Sequence, residues 1–126
     1  MATALELTTE EIDAYRAAAL RRQEREQREL AHREERAWEL ARRAAALLRM
    51  EFGATRVMVF GSLVHKGCFT PWSDMDIAAW GIRPVDTFRA IGAVMDIDVK
   101  FQANLVDVAA CSPSLLATIE QDGVDL

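Results

Sequence analysis

Residues 59–81 read VFGSLVHKGCFTPWSDMDIAAWG, and the order of features in this stretch decides the fold. Arg56-Val57-Met58-Val59-Phe60 is a short apolar run rich in β-branched residues, which predicts a buried strand. Gly61-Ser62 closes it, and Ser62 to Lys66 is expected to begin a short helix. Eleven residues separate Ser62 from Asp74. Asp76-Ile77-Ala78-Ala79-Trp80 then predicts a second strand, ended by Gly81.

Each half of this stretch carries chemistry. Side chains in a strand alternate faces, so Asp74 and Asp76 point the same way while Met75 fills the core. Two adjacent carboxylates repel each other unless a cation lies between them. Their hard oxygens suit magnesium, which takes one or two carboxylates together with phosphates and water. Gly61 has no side chain and lets the backbone approach a ligand closely. The N–H groups at a helix start attract an anion, and Ser62 adds a hydroxyl donor. Lys66 can add positive charge to this phosphate cradle. Asp-x-Asp and Gly-Ser are each common in solvated turns; their order and spacing make the signal.

Downstream, Pro84 to Val94 reads as a helix with Val85, Phe88, Ile91 and Ala93 as core positions. Leu105-Val106-Asp107-Val108-Ala109 reads as a third strand. Ser112-Pro113 opens a last helix carrying Leu115, Leu116 and Ile119, stopped near Gly123. Strands interleaved with helices predict an α+β fold, a small mixed sheet with flanking helices.

Upstream, residues 9–50 contain no Gly and no Pro and read as one long charged helix. Thr8 or Thr9 can cap it, Glu10, Glu11 and Asp13 complement its dipole, and Gly53 suits its C-terminal cap. Residues 21–36, RRQEREQRELAHREER, hold eleven charges in sixteen positions. Opposite charges recur four apart, as in Arg22/Glu26 and Glu24/Arg28. An apolar stripe returns at Leu30, Ala37, Leu40, Ala41, Ala44, Leu47 and Leu48. A 40-residue helix is about 60 Å long, more than a domain of this size spans. The second half is therefore expected to dock and the first to protrude. The protruding half is either a self-stabilised solvated helix or an arm for a partner or a second subunit. This gives two regions, residues 1–50 as a helical arm and residues 51–126 as the domain with the motif.

The chain's 126 residues suit one globular unit, and the net charge is −5. Residues 1–50 balance ten Arg against ten acids, so the excess acid lies in residues 51–126. An acidic domain repels a phosphate backbone, which argues against general nucleic-acid binding. No run approaches the ~20 apolar residues of a membrane span. Met1 to Thr9 lacks the basic start and apolar stretch of a signal peptide, so the cytoplasm is the expected location. Cys68 and Cys111 have no metal-ligand spacing and read as two reduced thiols. His65 reads as polar surface beside a turn. Trp72 can stack on a base or pack in the core or a lid, and Trp38 and Trp80 read as core.

The quoted stretch resembles the signature of the polymerase-beta-like nucleotidyltransferase superfamily, and looks most like its minimal nucleotidyltransferases, the MNT group. The resemblance covers about residues 57–126, including the tail SPSLLATIEQDGVDL. It departs from the group in Leu63-Val64 after Gly-Ser and in the position of Gly67. It implies the nucleotidyltransferase fold and transfer of a nucleoside monophosphate, AMP from ATP, to an acceptor. Gly61, Ser62 and Lys66 would then bind the triphosphate, and Asp74 and Asp76 would hold two magnesium ions. The family's third carboxylate lies on a later strand, and Asp107 is the match. Asp98 is its rival, since Ile97-Asp98-Val99 is also strand-like; Asp107 is preferred because Asp96 and Asp98 together read better as a solvated turn.

The chain is expected to be too short for a separate acceptor domain. The resemblance implies an antitoxin that adenylylates a tyrosine of a partner HEPN toxin. Two alternatives stay open. One is a non-catalytic antitoxin that only binds its partner. The other is transfer to a small molecule such as an aminoglycoside, for which no pocket residue argues.

Overall fold

The computed structural model describes residues 7–126. The first six residues of the expected arm, and most of the segment read for a signal peptide, lie outside the described residues. The element order is α1 (Thr9–Phe52), β1 (Arg56–Phe60), β2 (Met75–Trp80), α2 (Thr87–Met95), β3 (Ala103–Asp107), α3 (Pro113–Asp122) and β4 (Val124–Asp125). The four strands form one mixed sheet in the order β3-β2-β1-β4. β1 is antiparallel to both its neighbours, and β2 and β3 are parallel. α2 lies in the crossover that a parallel pair requires. The expected α+β architecture, a mixed sheet with flanking helices behind a long charged helix, is the observed one.

α1 is a single unbroken helix of 44 residues. The Thr8 side chain accepts a hydrogen bond from the Glu11 N–H at 3.1 Å, satisfying one orphan donor of the first turn. Gly53 takes φ 69° at the other end, and the Ala54 N–H reaches back to the Leu48 carbonyl oxygen. At ~1.5 Å per residue the helix is about 66 Å long, roughly twice the width of a small domain. Only its second half is buried, at Ala37, Leu40, Ala41, Ala44, Ala45, Leu48 and Phe52. The stripe therefore begins at Ala37; Leu30 stays exposed. Four of the seven buried residues are alanines, which let the helix lie close to the sheet.

This half of α1 shares one core with the sheet. It packs with Val57 and Val59 of β1, Met75, Ile77 and Ala79 of β2, and Leu105 of β3. The core thus crosses the expected division at residue 50. The opposite sheet face carries a smaller cluster, in which Met58, Ala78 and Ile119 pack with Phe60, Trp80 and Val106. Among the described residues no helix is long and apolar enough to cross a membrane.

The elements differ from the sequence reading in four places. After Gly61-Ser62 there is only a 3-10 turn over Gly61–Val64 in place of a helix running to Lys66. β3 lies two residues earlier than expected, because Asp107 turns the chain by accepting the Ala109 N–H at 3.1 Å. The core face of α2 is only half the expected one. Ala90 and Val94, four apart, are buried and the expected Ile91 and Ala93 pack partly buried against the core, whereas Val85 and Phe88 are 78% and 87% exposed. Asp86, buried at the helix start, is paired with Arg83 at 3.0 Å and Arg89 at 3.1 Å. β4 was not foreseen; two residues are too few for a periodic signal.

The two halves of α1 should respond differently to truncation of a leucine. Leu40→Ala is expected to lower the unfolding free energy by about 2–5 kcal/mol. Leu20→Ala, at a position 56% exposed, should change it by less than about 0.5 kcal/mol. Urea denaturation of the two variants measures the difference.

Candidate active site

The site is built by strand register. Phe60 of β1 lies opposite Asp76 of β2, and Asp76 lies opposite Asn104 of β3. Gly61, the next residue after Phe60, is thereby pressed against the Asp76 carboxylate. A Cβ on Gly61 would stand 2.5 Å from Asp76 Oδ2, and Gly61 takes φ 78°, which side chains rarely adopt. The two halves of the motif, twelve or more residues apart in sequence, meet at this contact.

Asp74 and Asp76 come together as expected, and a third side chain joins them. The Asn104 Nδ2 donates to Asp74 Oδ2 at 3.2 Å and to Asp76 Oδ1 at 3.5 Å. Both partners are acceptors only, so the amide must turn its NH2 toward them. Burial raises the Asp76 carboxyl above its ordinary range; the Asn104 hydrogen bond opposes this, and the Asp74 charge adds to it. Ser73 fixes the approach to Asp74, accepting the Thr70 N–H at 2.9 Å.

Asp107 is not part of this group. Side chains alternate along β3, so Asp107 shares its face with Ala103 and Leu105, while Asn104 and Val106 point to the other. Asp107 also pairs with Ala79, three positions along β2 from Asp76. Its carboxylate is engaged locally, accepting from Thr87 Oγ1 at 2.7 Å and from the Ala109 N–H at 3.1 Å. Asp107 is therefore a buried cap, in place of the expected third metal ligand. Asp98, the rival, lies in the α2–β3 turn, where it accepts the Lys100 N–H at 2.8 Å and pairs with Arg36 at 3.5 Å. Among the described residues no three of His, Cys, Asp and Glu gather as a metal site. The donor set of Asp74, Asp76 and an amide is one that magnesium accepts.

The phosphate cradle is also smaller than expected. A single 3-10 turn sums few peptide dipoles, so the attraction for an anion rests on the turn's own N–H groups and on Ser62. Lys66 is exposed and lines a shallow groove with Glu34, Glu35 and Trp38 of α1. That places it with the arm helix and apart from the cleft described next.

A cleft of about 780 Å³ opens beside Asp74, a volume typical of small-molecule sites. Trp72, Met95, Val99 and Phe101 line it, and it excludes Gly61, Ser62 and Asp76. Trp72 is 86% exposed, so its core reading is ruled out. Arg33 of α1 closes one wall. Its guanidinium lies 4.3 Å from the Phe101 ring centroid and donates to the Pro71 carbonyl oxygen at 3.2 Å. α1 thus holds the loop that delivers Asp74. Neither Arg33 nor Asn104 was singled out in the sequence. Strand parity was the available signal for Asn104, since it falls on the opposite face from Asp107.

Two substitutions separate the site from its surroundings. Gly61→Ala should strain the turn and displace Asp76, lowering the melting temperature and removing the thermal shift expected with magnesium and ATP. Asp107→Ala should cost about 1–3 kcal/mol by leaving Thr87 and the Ala109 N–H unpaired, yet leave that shift intact. Thermal unfolding with and without magnesium and ATP measures both.

No protein-family model matches the chain, and no curated protein matches it. Solved structures do. A chain of the crystal structure of the toxin-antitoxin MntA-HpeT aligns with TM-score 0.55 at 21% identity, over 68% of this chain and 69% of that one. A structure described as that of a minimal nucleotidyltransferase aligns with TM-score 0.47 at 24% identity, over 79% of this chain and 94% of that one. At these identities the likeness is one of fold. The chain shares its fold with a chain of the MntA-HpeT structure.

Proposed function

We propose that this chain is a nucleotidyltransferase antitoxin, which transfers AMP from ATP to a tyrosine hydroxyl of a HEPN-type toxin with the help of magnesium. The observation that carries the reading is the contact of Gly61 with the Asp76 carboxylate, beside Asp74. It supports the reading because the turn that would face the phosphates and the carboxylates that would hold the metal meet there. The toxin partner is supported by the fold shared with a toxin-antitoxin structure.

The acceptor oxygen attacks the α-phosphorus of ATP. The bond from that phosphorus to the bridging oxygen breaks, and pyrophosphate leaves with the electron pair. The hydroxyl proton passes to solvent. Gly61 and Ser62 present N–H and hydroxyl donors to the phosphates. Asp74 and Asp76 would hold magnesium, which would offset the charge on the phosphate oxygens. Trp72, exposed on the rim of the cleft, offers a face on which the base stacks. The overhanging half of α1 offers the toxin an exposed surface of mixed charge.

Asn104 favours a second reading, an antitoxin that neutralises by binding alone. An amide takes no proton at neutral pH and ligates a cation more weakly than a carboxylate. Incubation with labelled ATP, magnesium and the partner toxin separates the two. Transfer predicts label on the toxin, reduced to background by Asp74→Asn with Asp76→Asn. A binder predicts no label, and neutralisation that survives the double substitution.

A further inference from the structure

We infer that Asn104 occupies the third ligand position of the metal site and limits it to a single divalent cation in the nucleotide complex. This rests on the nucleotide-and-magnesium reading above.

The inference begins with placement. Asn104 is the residue of β3 in register with Asp76, and β3 is the strand beside the carboxylate pair. Its amide is within hydrogen-bond reach of both carboxylates, at 3.2 and 3.5 Å. A carboxylate at this position would face the same two groups. Asp107, the nearest acid in the strand, points to the opposite sheet face and is consumed by Thr87 and Ala109. No other acid completes the group among the described residues.

Charge then sets the number of cations. Asp74 and Asp76 together carry two negative charges, which one divalent ion offsets. The nucleotide's phosphates complete the anionic ligands of one ion; a second ion beside it would have to share the same two carboxylates, and Asn104 adds only a neutral ligand. The amide instead does part of a cation's work. Its NH2 bridges the two carboxylates and damps their repulsion, so the pair is tolerated without metal. When a cation enters, the amide must turn to present Oδ1, which is a single weak oxygen ligand. The missing carboxylate is also a missing proton acceptor near the acceptor hydroxyl. Such a group contributes roughly 10²- to 10⁴-fold to a rate.

The experiment counts manganese bound per chain, by electron paramagnetic resonance, in the presence of a non-hydrolysable ATP analogue. The wild-type chain and Asn104→Asp are compared. One ion in the wild type and two in the variant are expected. The variant should also melt lower than the wild type in EDTA, because three carboxylates then face one another, and regain its stability with manganese. Two ions in the wild type, or one in both proteins, overturns the inference and leaves the nucleotide site standing. Neither ion nor analogue bound overturns the proposed function, and this inference with it. Should the variant not fold, the wild-type count decides alone, one ion in favour and two against.

Discussion

The pairing of Phe60 with Asp76 is the constraint on which the site depends. It fixes how far β1 extends along β2, and so fixes where Gly61 falls. A slip of one residue would move Asp76 to the other face of the sheet, into the core of Ile77 and Val59. The apolar partners above it, Val59 with Ile77 and Met58 with Ala78, resist that slip because each belongs to a different buried cluster. The hydrophobic pattern of two short strands thereby sets the position of a charged group. The parallel register of β3 extends the same control to Asn104.

The second determinant is the docking of α1. Its alanine-rich stripe covers one face of the sheet, and just before that stripe Arg33 and Arg36 reach the loops around the cleft. Arg33 holds the carbonyl of Pro71 and lies over Phe101, so it ties the segment leading to Asp74 and the turn before β3 to the same helix. The Arg33 Nε is buried without a partner, a cost that the ring contact and the Pro71 hydrogen bond offset only in part. The helix that looked separate from the motif is therefore one wall of its surroundings.

Much of this was legible in the sequence, for identifiable reasons. β1 was read with its observed bounds, because a continuous apolar run closed by glycine leaves little freedom. The caps of α1 and α3 at Thr8, Gly53 and Ser112 were visible, since each is a local hydrogen-bonding event. The convergence of Gly61 with Asp74 and Asp76 followed from motif order. The failures were of parity and of amplitude. Asp107 was chosen as the acid matching the family's third carboxylate on a later strand, but its face was decided by the sheet register, which the sequence does not state. The face of α2 was misread because Val85 and Phe88 are large and apolar, and because burial of Asp86 is a tertiary event. Lys66 was placed by counting along a helix that the chain does not form.

Asn104 also has a bearing on how such a chain could change over generations. Asparagine and aspartate codons differ only in their first base. The backbone around position 104 is already in register with Asp76, so no rearrangement of the fold stands between an amide and a carboxylate there. A single nucleotide substitution separates this sequence from one with three acids at the same point of the sheet. Genes encoding this fold can therefore drift between a two-acid and a three-acid site while strands, helices and core stay as they are.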